Sequence, residues 1–98
     1  MKQTILKVIN ITRNGIRRGK VEASSCPVAR AMVSAGIKRP RVDSSTIAGE
    51  YKGRNFFIKT PKDVSSWIKK FDNGSNWTNP NPNRKVNPFS FTLKFNYE

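Results

Sequence analysis

The stretch Pro88–Glu98, PFSFTLKFNYE, decides the fold. Phe89, Phe91, Leu93, Phe95 and Tyr97 occupy every second position, with Ser90, Thr92, Lys94, Asn96 and Glu98 between them. That is the period of a strand with one buried face. A row of large apolar side chains needs a cover, and two amphipathic segments upstream are the available ones. The strand therefore predicts a small sheet with helices packed on one side.

The first covering segment lies within Ala23–Ile37. Pro27 suits the first helical position, where a missing N–H costs nothing, which leaves Ser25 or Cys26 as the cap. Val28, Ala31, Met32 and Ala35 then fall at i, i+3, i+4 and i+7, and Gly36 is the expected left-handed stop. In the second segment Thr60 is expected to cap, Pro61 to begin the helix and Asp63 to sit near its positive end. Val64, Trp67, Ile68 and Phe71 form its apolar stripe, with Ser65, Ser66, Lys69 and Lys70 opposite, and Asn73–Gly74 ends it. Trp67 reads as a core anchor.

The aliphatic run Gln3–Thr12 reads as a strand, followed by an Asn14–Gly15 turn and a flexible basic loop around Gly19. Arg41–Ala48 and Asn55–Lys59 read as a hairpin joined through Gly49–Gly53. Consecutive Phe56 and Phe57 place one ring on each face, so one of them is less buried. The element order becomes β-α-β-β-α-β. It predicts one small α+β domain over residues 1–98, with a four-stranded, mostly antiparallel sheet and two helices on one face, ferredoxin-like or a less regular variant. The asparagine- and proline-rich segment 75–87 reads as an inserted loop.

Composition removes several functions. A single cysteine, Cys26, forms no internal disulfide, and the absence of histidine removes His-based triads and the usual zinc ligand sets. No cofactor or metal site is expected. Asp43, Glu50, Asp63 and Asp72 stand in separate elements rather than as a carboxylate cluster, which argues against metal-dependent hydrolysis and against an enzyme. Cys26 at a helix start among cations has a reactive reading, but it has no base beside it, and a capping or packing role is the expectation. The chain has no apolar run long enough to span a bilayer and no signal-like start, so a soluble cytoplasmic protein without membrane contact is expected.

Nineteen Lys and Arg against six Asp and Glu give a net charge of +13. Such an excess attracts polyanions at long range, although a solvated basic surface kept for solubility is the competing reading. The candidate binding residues are Arg13, Arg17, Arg18 and Lys20, which form the densest group, together with Arg54, Arg84 and Lys85. Trp77, solitary in the polar loop beside Arg84 and Lys85, either folds back onto the domain or serves as a contact or base-stacking residue. An exposed ring of the Phe56–Phe57 pair, flanked by Arg54 and Lys59, is a second stacking candidate, though the glycine and aromatic pattern of RNA-recognition modules is absent.

Four features carry a family resemblance: Ile16 with Gly19; Cys26-Pro27-Val28-Ala29 with Ala31; Ile68, Phe71, Asp72 and Gly74; and Pro88, Phe89, Phe91 and Leu93. In these the chain resembles small proteins encoded by bacteriophages and prophages, found also in bacterial and cyanobacterial genomes. They share a basic Ile-Gly start, a CP(I/V)A helix start and a C-terminal FDxG…PFxFxL segment. The resemblance implies a virus-associated accessory protein acting in a bacterial host cell, and it carries no activity with it. The chain departs from its relatives in the loop 75–87 and in its higher charge. Two expectations follow: a factor that binds DNA, RNA or a nucleoprotein through a basic face, or an inhibitor or adaptor of a host protein such as a defence (anti-CRISPR-like) or transcription component.

Overall fold

The alternation in the C-terminal stretch becomes β5 (Phe89–Tyr97), which runs antiparallel to β1 (Gln3–Ile11) in unbroken register from Ile11↔Phe89 to Gln3↔Tyr97. The structure, a computed structural model, describes residues 3–20, 22–72 and 85–97. Trp77, Arg84, the Asn73–Gly74 helix stop and most of the predicted loop lie outside the described residues. Ile9, Ile11, Phe91, Leu93 and Phe95 are buried on the inner face of the β1–β5 ribbon, while Leu6, Val8, Thr92 and Lys94 stand on its outer face.

The expected single four-stranded sheet does not form. Among the described residues there are five strands in two sheets, the β1–β5 ribbon and a second sheet ordered β2 (Lys38–Val42), β3 (Thr46–Tyr51), β4 (Arg54–Lys59), and there are three helices. The extra strand arises because the run Arg41–Ala48 is divided. The Asp43 carboxylate accepts the backbone N–H groups of Ser45 and Thr46, both at 2.7 Å, and turns the chain between β2 and β3. The next turn is also tighter than expected. Lys52 and Gly53 both have positive φ, 51° and 80°, which is the two-residue hairpin geometry that fits strand twist. Gly49 belongs to β3 instead. A Cβ there would stand 2.7 Å from Ile37 Cγ2 and 3.1 Å from the Phe56 ring. The two sheets meet through Phe56 and Phe95, whose rings stack at 4.0 Å, with Tyr51 edge-on to Phe95 at 5.8 Å. The result is an α+β fold with antiparallel sheets in place of the ferredoxin-like arrangement.

The basic segment read as a flexible loop is helix α1 (Arg13–Arg18). Thr12 Oγ1 accepts the Gly15 N–H at 3.0 Å, and Ile16 at the centre is fully buried, so one cap and one apolar anchor override the Asn-Gly turn signal. Helix α2 (Pro27–Ser34) starts as expected: Cys26 is the cap, its Sγ accepting the Ala29 N–H at 3.4 Å. It lies against β1 and β2 and stops at Gly36, where φ is 93°. Gly19 lies so close to this helix start that a Cβ would stand 2.6 Å from the Pro27 ring.

Helix α3 (Lys62–Phe71) buries Val64, Trp67, Ile68 and Phe71, and Trp67 packs on Phe71 and Phe89. Its start differs from the expectation. Thr60 is buried and donates its hydroxyl to Asp43 O at 2.9 Å, tying β4 to the β2–β3 turn, and Pro61 takes the cap position without a side-chain bond. Among the described residues no helix is long and apolar enough to cross a membrane.

Candidate functional site

The three-stranded sheet has an inner and an outer face, and strand alternation divides Phe56 from Phe57 between them. Phe56 is 6% exposed and Phe57 72% exposed. Pairing sets Arg41 opposite Ala48 and Ala48 opposite Phe57, so a cation, a methyl group and an open aromatic ring form one row across the outer face. Ala48 is too small to cover the ring. Lys59, two residues along β4, stands on the same face opposite Thr46.

Lys59 also begins a groove of about 690 Å³ between the β2–β3 turn and α3. Lys62, Ser65, Ser66 and Lys69 line its helical wall. Their i, i+3, i+4, i+7 spacing makes one stripe, away from the apolar one. Ser45 lies on the opposite wall, and no carboxylate is among the lining residues. Asp43, in the turn that forms that wall, directs its carboxylate to the Thr46 and Ser45 amides. These bonds, with help from Arg41, hold its carboxyl below the usual carboxylate range. Asp63 likewise accepts from the Val64 N–H at 2.9 Å.

The basic residues singled out by sequence are distributed elsewhere. Arg13 Nη1 donates to Val86 O at 2.9 Å, and Trp67 Nε1 donates to Asn87 O at 2.8 Å. These two bonds, at consecutive carbonyls, fix the segment that enters β5, with the Val86 side chain buried and Lys85 exposed beside it. Lys85 is thereby brought to α1, which carries Arg17 one turn beyond Arg13 and Arg18 at its exposed end. Lys20 follows just past the helix, its N–H bonded to Ser25 O. Arg54 belongs to another group, at the start of β4 beside the hairpin tip. There Lys7 and Lys52 stand 5.2 and 5.5 Å from the centre of the Tyr51 ring. Three residues from Phe57, it has the opposite strand parity, so the expected flanking of the exposed ring by Arg54 and Lys59 is met by Lys59 alone. Trp77 and Arg84 lie outside the described residues.

Folding thus sorts these cations into an α1 group with Lys85, a hairpin-tip group with Arg54, and the groove group. Arg41 lies in the basic run 38–41 and Lys69 beside Lys70, and nothing in the sequence marks Arg41, Lys62 or Lys69 as site residues before the sheet and helix are placed. The signal that finds two of them is the Lys-x-x-Ser-Ser-x-x-Lys stripe on α3, which is legible only once the helix is placed.

The residues that carry the family resemblance converge in the interior. Ile16, Cys26, Pro27, Val28, Ala29, Ile68, Phe71, Phe91 and Leu93 are buried, and Gly19 meets Pro27. Burial pushes the Cys26 thiol up, and the Asp72 carboxylate adds to the effect, which is the opposite of activation. These positions build the fold, and the surface outside them offers the outer sheet face, the groove, the outer face of the β1–β5 ribbon with Leu6 and Val8, and a cleft of about 500 Å³ between α1 and α2 that is lined by Asn14, Arg30 and Ser34. Among the described residues no three His, Cys, Asp or Glu side chains are grouped so as to hold a metal ion. Compared with protein-family models, with curated proteins and with solved structures, the chain finds no match.

Proposed function

We propose that this is a small basic accessory protein of the phage type, working without catalysis in the cytoplasm of a bacterial host by binding nucleic acid or a nucleoprotein. The observation that carries this reading is the outer face of β2–β3–β4, where Phe57 is 72% exposed on a face that bears Arg41 and Lys59 and leads into a lysine-lined groove without a carboxylate. The support comes from the combination, an open ring in one row with Arg41 and beside the lysine-lined groove, since a ring and cations together suit stacking on bases and pairing with phosphates. Phosphates entering such a groove release counterions, and that release dominates affinity. The α1 group, with Arg17, Arg18, Lys20 and Lys85, extends the attraction at longer range.

The test is affinity for labelled DNA and RNA measured across salt concentrations. Log affinity is expected to fall linearly with log salt, and replacing Lys59, Lys62 and Lys69 by Gln should reduce the slope by about 2 for single strands and about 3 for duplexes. Absence of binding at low salt removes the proposal.

One observation favours a second reading, an inhibitor or adaptor of a host protein. Leu6 and Val8, 63% and 60% exposed, form an apolar patch on the outer face of the β1–β5 ribbon. Capture of a defined host protein from nuclease-treated lysate, lost on Leu6→Ser with Val8→Ser, would support it over the first.

A further inference from the structure

We infer that the ligand of the outer sheet face is a single strand, with Phe57 stacking on an unpaired base and Lys59, Lys62 and Lys69 receiving the phosphates that follow it. The inference rests on the nucleic-acid reading above and adds which form of nucleic acid fits. In a duplex each base is covered on both faces by its neighbours, so a protruding phenyl ring reaches a base face only by prying a base step apart. A single strand splays its bases, and a ring standing on a flat sheet offers each of them a face.

Cations stand beside the ring and along the groove. Lys59 lies about 7 Å from Phe57 along β4 and begins the groove, whose helical wall carries Lys62 and Lys69 about 10 Å apart, while Arg41 lies across the sheet from the ring. Hydroxyls of Ser65 and Ser66 lie between the two helical lysines in the groove wall and supply neutral donors to phosphate oxygens. Lysine ammonium groups are point charges that read no base edge, and stacking tolerates any base, so the site is expected to bind with little sequence preference.

The test uses the full chain and fluorescein-labelled mixed-sequence oligonucleotides, as single-stranded DNA, single-stranded RNA and the corresponding duplexes, read by anisotropy at one low salt concentration. Phe57→Ala is expected to weaken single-strand binding by between about 5-fold and about 150-fold and to leave duplex binding unchanged. Phe57→Leu, which keeps apolar bulk without a π-face, should weaken it similarly, and Phe57→Tyr should retain it. Equal affinity for duplex and single strand with a silent Phe57→Ala overturns this inference and leaves the nucleic-acid proposal standing. Retention by Phe57→Leu also overturns it, since burial rather than stacking would then be at work. Failure of every oligonucleotide to bind removes both readings and directs attention to a protein partner.

Discussion

Phe56 and Phe57 are adjacent in the chain and identical in chemistry, yet the inner and outer faces of one sheet give them opposite roles. Phe56 is 6% exposed, stacks on Phe95 at 4.0 Å and joins the two sheets. Phe57 is 72% exposed, paired with Ala48 on a face that also carries Arg41, Lys59, Asn55 and Glu50. The inner face has been filled to the point where Gly49 has no room for a methyl group, and the outer face leaves its largest side chain uncovered. The inner ring thus serves stability, and the outer ring is free of that duty and open to a partner.

Substitutions at the two rings should separate most widely. Phe56→Ala is expected to lower unfolding free energy by about 3 to 5 kcal/mol, whereas Phe57→Ala should stay within about 0.5 kcal/mol of the parent, both read by urea denaturation. Similar losses at both positions would erase the contrast. Gly49→Ala sharpens it from the backbone side. The added Cβ has to displace Ile37 and Phe56, and a loss of about 1 to 3 kcal/mol is expected, against almost none for Ala48→Gly beyond its strand preference. Trp67→Phe keeps an aromatic ring but deprives Asn87 O of its donor. A loss of about 1 to 2 kcal/mol is expected, and a silent result would mean that the β5 entry does not depend on that bond.

The smallest expected effect belongs to Asp43. Its folded-state carboxyl titrates below the unfolded value because the Thr46 and Ser45 amides bond the charged form. The stabilisation is therefore present above the unfolded pKa of about 3.9 and is lost as pH falls through the lower folded value. The carboxylate is exposed and screened, so the effect is modest. Thermal melts should show Asp43→Asn below the parent near neutral pH, with the gap closing in acid. A gap that widens in acid contradicts the assignment.

Much of the interior was legible in advance because it depends on period. The alternation of Phe89, Phe91, Leu93 and Phe95 fixed the inward face of β5, and the stripe of Val64, Trp67, Ile68 and Phe71 fixed that of α3. Less legible were features set by single contacts. The division of β2 from β3 hangs on one Asp43 carboxylate in a run of Ser and Thr that strands also tolerate, and α1 hangs on one buried Ile16 amid turn-forming residues. The exposure of one ring in the Phe56–Phe57 pair follows from alternation, but which of the two depends on the register with β3, and that register follows the tight Lys52–Gly53 turn. The candidate site was the least legible part. Charge density along the chain points to Arg13, Arg17 and Arg18, whereas the groove assembles Lys59, Lys62 and Lys69 from two elements, none of them conspicuous alone.

The most direct test of the outer face as the binding surface is a titration of the isotopically labelled protein with a short single-stranded oligonucleotide, followed through backbone amide shifts. The largest changes are expected at Arg41, Ala48, Phe57, Lys59, Ser65 and Ser66, with Leu6, Val8 and Thr92 on the other outer face unmoved. Changes confined to the β1–β5 ribbon or to α1, with Phe57 silent, would contradict it.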